Sequence, residues 1–217
     1  MPQIFLIGAT GRTGKLVLEE ALTRGHAVTV IVHLNVVTGD PCNPTDIEKA
    51  LRSTKSGVPV VIISTLGQTR TSGNPWAAPT SPAGFMKASA SAVLAAAQAV
   101  EGSVQIDKLV VMSMFGIGDS FKNLNFLLRW TMRHSNMVQT IEDQTLVDEA
   151  VRKGHLPFVL IRPALLTEGD AAPVKVYSSS AEGVGIMPKV SVKSVAKFLM
   201  DAASKGDWDG TSPVITN

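Results

Sequence analysis

Seven residues near the start of the chain, G-A-T-G-R-T-G from Gly8 to Gly14, have the types and spacing to do chemistry. They follow a short apolar run, Ile4 to Ile7, and lead into a helical pattern from Thr13 to Arg24. This strand–turn–helix context separates a dinucleotide-binding turn from a chance glycine cluster, a purely structural turn being the alternative. Gly8 can take the positive φ of a tight turn. Gly11 lets backbone approach a pyrophosphate with no Cβ in the way, and Gly14 lets helix and strand pack closely. Thr10, Arg12 and Thr13 share the turn, and the helix points its N-terminal amides and positive dipole end at the diphosphate.

Other candidate groups are weaker. The four histidines, 26, 33, 134 and 155, are scattered without metal-ligand spacing, and Cys42 is the only cysteine, so no metal site is expected. Glu142, Asp143, Asp148 and Glu149 read as the solvated face of a helix, with a site role for Asp143 as the alternative. Residues 121–132, F-K-N-L-N-F-L-L-R-W-T-M, are apolar on more than one face. Phe126 and Trp130 share a face distinct from Leu124 and Leu128, which suits core packing, a substrate lid or a subunit contact.

The elements that must position these residues alternate between β-like and helix-like runs. Strands are expected at Ile4–Ile7, Val28–Val32, from Val36-Val37, at Val58–Ile63, Lys108–Met112 and Phe158–Ile161, and in the tail S-P-V-I-T. Helices are expected from Thr13, after Asn43 (an N-cap with Pro44 at the first helical position), over 84–100, around 123–133 and 138–153, and over 192–204. Such alternation predicts an α/β protein with a Rossmann-type, doubly wound and mostly parallel sheet of six to seven strands, helices on both faces. The loop from Leu66 to Pro82, rich in Gly, Pro, Ser and Thr, reads either as a cover over the active end or as a surface loop.

With 217 residues, 45% hydrophobic and 18% charged, the chain suits one globular domain spanning 1–217. A net charge of +2 gives no reason to expect nucleic acid or a membrane surface as partner. No run reaches the ~18 apolar residues of a membrane helix, the first apolar run is too short for a signal peptide, and the lone cysteine suits a reducing compartment; the expectation is cytoplasmic. A small-molecule substrate and a monomer or homodimer are expected.

The G-x-x-G-x-x-G spacing, followed by R-G-H-A-V-T-V-I-V, resembles the atypical short-chain dehydrogenases. Within them the chain looks most like the NmrA-like and NAD(P)H-binding group that includes biliverdin and flavin reductases. The resemblance continues through T-G-D-P at 38–41, I-I-S-T-L-G at 62–67, K-L-V-V-M-S at 108–113 and F-V-L-I-R-P-A at 158–164. It implies that Asp40, Pro41 and Cys42 flank the adenine and that Ser64, Thr65, Leu66 and Gly67 line the ribose and pyrophosphate. Met112, Ser113, Pro163, Ala164 and Leu165 would take the nicotinamide end, with Phe115, Trp130 and Gln144 toward substrate and a substrate-side region from about 113–135 and 164–190. No acidic residue stands at Val32, His33 or Leu34 to repel a 2′-phosphate, Arg12 can reach one, and relatives often carry arginine where His33 stands. NADP(H) is therefore expected in preference to NAD(H).

The usual serine, tyrosine and lysine of short-chain dehydrogenases are not all present. Ser113 matches the serine and is the candidate catalytic residue, with a backbone-bonded strand-end serine as the alternative. Spacing back from I-R-P puts Thr140 and Gln144 where tyrosine and lysine would sit, and the single tyrosine, Tyr177, lies elsewhere. Neither substitute donates a proton near neutral pH. Hydride transfer to a flavin, quinone, bilin or enone, a dinucleotide-sensing regulator without turnover, and a non-redox isomerase or epimerase all remain open.

One stretch conflicts with this scheme. Only about three residues separate the strand ending near Val32 from the one beginning at Val36, whereas parallel neighbours need a crossover of about a dozen. The sequence leaves an antiparallel hairpin, a deletion, or a segment of roughly ten residues missing from this stretch; the last is favoured here.

Overall fold

Within Gln3–Ile7 (β1), Ile4 and Leu6 point to one side and Phe5 and Ile7 to the other, and all four are fully buried. A strand apolar at every position needs cover on both faces. The computed structural model, which describes residues 1–31 and 38–217, provides it. On one face Ile4 and Leu6 join Val61, Ile63, Val110, Val159 and Ile161 against Arg12–Thr23 (α1) and Val192–Ser204 (α6). On the other, Phe5 and Ile7 join Ile62, Val111 and Leu160 against Pro44–Arg52 (α2), Phe85–Ala99 (α3) and Met137–Lys153 (α5).

Around β1 run Val28–Ile31 (β2), Val60–Ser64 (β3), Ile106–Met112 (β4), Phe158–Pro163 (β5), Lys175–Tyr177 (β7) and Val214–Thr216 (β9). Their order is β2-β1-β3-β4-β5-β9-β7, all parallel except the antiparallel edge pair β7 and β9. Leu165–Thr167 (β6) and Lys189–Ser191 (β8) form a separate two-stranded parallel sheet. The expected doubly wound α/β architecture is present. The short strands β6, β7 and β8 are additions to the expected set, whereas the equally short β9 falls in the tail S-P-V-I-T, where a strand was expected.

β2 and β3 flank β1, and the helices that follow β1 and β3, α1 and α3, lie on opposite faces. The connections therefore diverge at the carboxyl ends of β1 and β3, which opens a crevice there, the usual ligand position in such sheets. Residues 32–59 link β2 to β3 by way of α2, long enough for a parallel crossover. His33, the end of the second strand at Val32, the expected strand at Val36-Val37 and the suspected missing segment all lie outside the described residues.

Beyond the carboxyl ends of the sheet, a 3-10 turn at Gly118–Asn123 and the helix Phe126–His134 (α4) pack around Phe115, Leu124, Ala181 and Val214, a small second core. Leu128 and Met132 face that core, whereas Phe126, Leu127 and Trp130 are mostly exposed. Among the described residues no helix is long and apolar enough to cross a membrane.

Candidate active site at the carboxyl edge of the sheet

Gly8 leaves β1 with φ +86°, and its carbonyl accepts the Gly11 amide at 3.0 Å. Gly11 then caps α1 with no side-chain bond, and the first helical turn holds no acid. The helix start is left with amides to offer and a positive dipole end uncompensated. A Cβ built on Gly11 would meet only the Gly8 carbonyl, at 3.3 Å. The turn thus presents bare backbone and open space to an anion, the cradle a dinucleotide diphosphate fits. Thr13 and Gly14 are buried under it; Thr10 and Arg12 are exposed. The buried Thr65 locks the turn to β3. Its amide donates to the Ile7 carbonyl at 2.9 Å, and its hydroxyl lies 3.1 Å from Ile7 O and 3.2 Å from Gly8 O.

The other expected contacts ring this crevice. Ser64 ends β3 opposite Ile7, and Leu66 and Gly67 follow. Asp40 is exposed, and its carboxylate accepts the Cys42 amide at 2.9 Å, which shapes the turn through Pro41. Burial first, then the charges of Asp40 and Asp143, push the Cys42 thiol pKa up, so it stays protonated at neutral pH. The Arg12 guanidinium reaches Glu168, just past β6, at 3.3 Å in a largely exposed pair.

At the end of β4, the buried Ser113 donates its hydroxyl to Gln144 Oε1 at 3.1 Å. Gln144 also contacts Met86 Sδ. Met112, Ser64, Leu66, Met86 and Gln144 wall a narrow cavity with room for little more than one water molecule. Pro163 and Ala164 are buried beside this end, whereas Leu165 stands exposed on β6. Phe115 and Trp130, both expected toward substrate, go different ways. Phe115 is buried in the small core; Trp130 stacks on His134, centroids 5.0 Å apart, and tilts against Trp76 at 6.5 Å.

Two groups stand apart from the sequence reading: Asp143, expected on a solvated helix face, and a pair that it passed over. Asp143 is only 2% exposed, and its carboxylate accepts the Met86 and Lys87 amides at 3.0 and 2.9 Å. It serves the start of α3, whose own N-cap, Gly84, has no side chain to offer. That bare start was the available signal. Removing the charged acceptor from two amides sets the expected loss: Asp143→Ala should lower unfolding free energy by about 2–3 kcal/mol, measured by urea denaturation. The second group is Gln68 and Arg70, in a segment with no acidic residue anywhere from 65 to 100. Arg70 Nη2 donates to Thr140 Oγ1 and Thr140 donates to Gln68 Oε1, so the Thr140 hydroxyl is held by the loop.

Residues 8–205 match the family described as NAD(P)H-binding, a span that opens on Gly8 and takes in every described site residue above. The chain belongs to that family. Solved structures share the fold at low identity. The anaerobillin reductase ChuY of Escherichia coli O157:H7 is 19% identical over 99% of this chain and 96% of its own, with a TM-score of 0.76. A Lactococcus lactis oxidoreductase is 18% identical over 99% and 90%, TM-score 0.74. A Veillonella parvula short-chain dehydrogenase/reductase, solved in complex with NADP, is 16% identical over 100% and 94%, TM-score 0.71.

Proposed function

We propose that this protein is an NADP(H)-dependent reductase of a conjugated or aromatic small molecule such as a flavin, quinone, bilin or enone. The observation that carries the reading is the Ser113–Gln144 pair at the end of β4, in a site where Thr140 and Gln144 hold the tyrosine and lysine positions. Bound in the crevice, the dinucleotide supplies a hydride. Gly8 to Gly14 hold its diphosphate, Ser64 to Gly67 its ribose side, Asp40 to Cys42 its adenine side, and Met112, Ser113 and Pro163 to Leu165 the nicotinamide end. The Ser113 hydroxyl is oriented by Gln144, and neither can give up a proton at neutral pH. A simple ketone needs an acid at its oxygen as the hydride arrives. A conjugated acceptor spreads the incoming charge over its own framework and takes its proton from water afterwards. The absence of a relay therefore selects the acceptor class.

Arg12, exposed beside the turn, and the lack of an acid at 32–34 support NADP(H) over NAD(H). The ChuY resemblance supports a bilin-like acceptor within the class. A second reading, a dinucleotide-responsive regulator, is favoured by the apolar face of α4, where Phe126 is 82% exposed. Titration with NADPH and NADH, followed by NADPH oxidation against flavin, quinone, bilin and enone acceptors, separates the two. Turnover of one acceptor class with NADPH bound more tightly than NADH is expected. Tight NADPH binding without turnover of any acceptor would sink the reductase reading and leave the regulator.

A further inference from the structure

Between β3 and α3 the chain folds into an ordered hairpin. Thr80 N donates to Thr69 O at 2.8 Å, Thr71 N to Ala78 O at 3.1 Å, and Arg70 bridges to Pro79. Its tip is fastened across to α4 and α5. Trp76 Nε1 donates to the His134 carbonyl at 3.1 Å, and Asn136 Nδ2 to the Trp76 carbonyl at 2.8 Å. This places Arg70 against the first turns of α5, at Met137 and Thr140. Thr140 lies one helical turn, about 6 Å along the axis, from Gln144 and hence from the Ser113 end of the site.

What matters is the company the guanidinium keeps. Arg12, Arg24, Arg52, Arg152 and Arg162 each have a carboxylate within ion-pair distance. Arg70, Arg129 and Arg133 have none among the described residues, but Arg129 bonds the Leu124 carbonyl and Arg133 lies over the Phe121 ring. Residues 32–37 contain no acid. The bonds of Arg70 go to a hydroxyl and a thioether, and its Nε, though buried, has no acceptor. Neighbouring Gln68 Nε2 is likewise buried and unpartnered. A half-buried cation without a counter-ion, beside an orphan amide donor, is destabilising to the protein alone. Burial accordingly drags the Arg70 pKa down with nothing opposing it. Both orphan donors find their acceptor if an anion arrives. The same hairpin contributes Trp76, which with Trp130 makes a half-exposed aromatic wall at its tip.

We propose that Arg70, with Gln68 and Thr140, forms an anion subsite that takes a carboxylate carried by the conjugated substrate. The inference rests on the reductase reading and adds a charge requirement to it. A planar guanidinium fork matches a carboxylate in two bonds. The cofactor's diphosphate is already served by the start of α1, under β1 and β3, whereas Arg70 is held on α5, the substrate side of Ser113.

The test uses anthraquinone-2-carboxylate and its neutral methyl ester, titrated by tryptophan fluorescence into the protein saturated with NADP⁺. Wild type is expected to bind the acid about tenfold or more tightly than the ester, and Arg70→Gln to bind both alike while keeping its NADPH affinity. Arg70→Lys keeps the charge without the fork; it should fall between the two, and it stands in if the glutamine variant does not fold. Equal binding of acid and ester by wild type would overturn the proposal. So would a loss of NADPH affinity in Arg70→Gln as large as the loss for the acid, which would put the guanidinium on cofactor phosphate. Failure of every acceptor in NADPH oxidation strikes the reductase reading alone, because the acid–ester difference is read from binding.

Discussion

Gly11→Ala is expected to fold normally and to bind NADPH at least about thirtyfold more weakly, a loss of about 2 kcal/mol. The backbone at Gly11 has φ −74°, which alanine adopts freely. The new methyl meets one protein atom, Gly8 O at 3.3 Å, so the carbonyl need give only a few tenths of an ångström. On its other side is the open space that the diphosphate must enter, and there the methyl holds the phosphate oxygens off the amides at the start of α1. Gly14→Ala is the contrasting control. Its Cβ would fall 2.0 Å from Gly8 O and 2.7 Å from Gly8 C, both backbone atoms of the turn that β1 and Thr65 hold fixed. That clash should lower stability by about 3 kcal/mol or more as the backbone shifts. Thermal melts and NADPH fluorescence titrations on both variants read the difference. Wild-type affinity in Gly11→Ala would remove the Gly8–Gly14 turn from the cofactor site.

The two glycines also show what a sequence carries well. Their roles depend on neighbours within six residues, and so does the Asn43 cap, whose side chain accepts the Thr45 amide at 3.0 Å as expected from N-P alone. β1, β3, β4 and β5 were legible because each is a run of apolar residues that only a doubly covered sheet can bury. Asp143 was misread because its partners, the Met86 and Lys87 amides, are more than fifty residues away, and helical periodicity alone could not distinguish a solvated carboxylate from one buried under another helix. Ser113 and Gln144, 31 residues apart, meet because β4 and α5 belong to the same layer pair; spacing suggested them separately, and only the fold joins them. Phe115, which the resemblance put toward substrate, is buried in the small core around Leu124 and Ala181, a placement that only the fold reveals. Arg70 went unnoticed inside a loop read for its glycines and prolines, although an arginine with no acid for dozens of residues around it was visible throughout.

The R-P pair that helped mark the resemblance has a structural consequence of its own. Arg162 is 1% exposed; its Nη1 bonds Asp119 and the Ser179 carbonyl, and its Nη2 bonds Asp148 at 2.9 Å. One guanidinium therefore ties β5 to the 3-10 turn, to the segment before Ala181 and to α5. Arg162→Met should lower stability by about 2 kcal/mol, because Asp119 and the Ser179 carbonyl lose their buried donor while Asp148, 14% exposed, keeps Arg152 at 2.6 Å. The pH dependence follows from Asp119. Burial acts to raise its pKa, but hydrogen bonds from Ser179 and Arg162 and the charge of Arg162 outweigh it and hold the carboxyl below its usual value. A depressed carboxylate stabilises the fold above the unfolded-state pKa of about 3.9, and that contribution is lost as pH falls through the folded value. Urea melts of wild type should weaken as pH drops below about 4, and Asp119→Asn should show a shallower decline over the same window. In Arg162→Met the Asp119→Asn change should have a smaller further effect, since Arg162 no longer adds to the Ser179 hydrogen bond in depressing the carboxyl. An undiminished effect of Asp119→Asn in that background would show that the two side chains do not act as a pair.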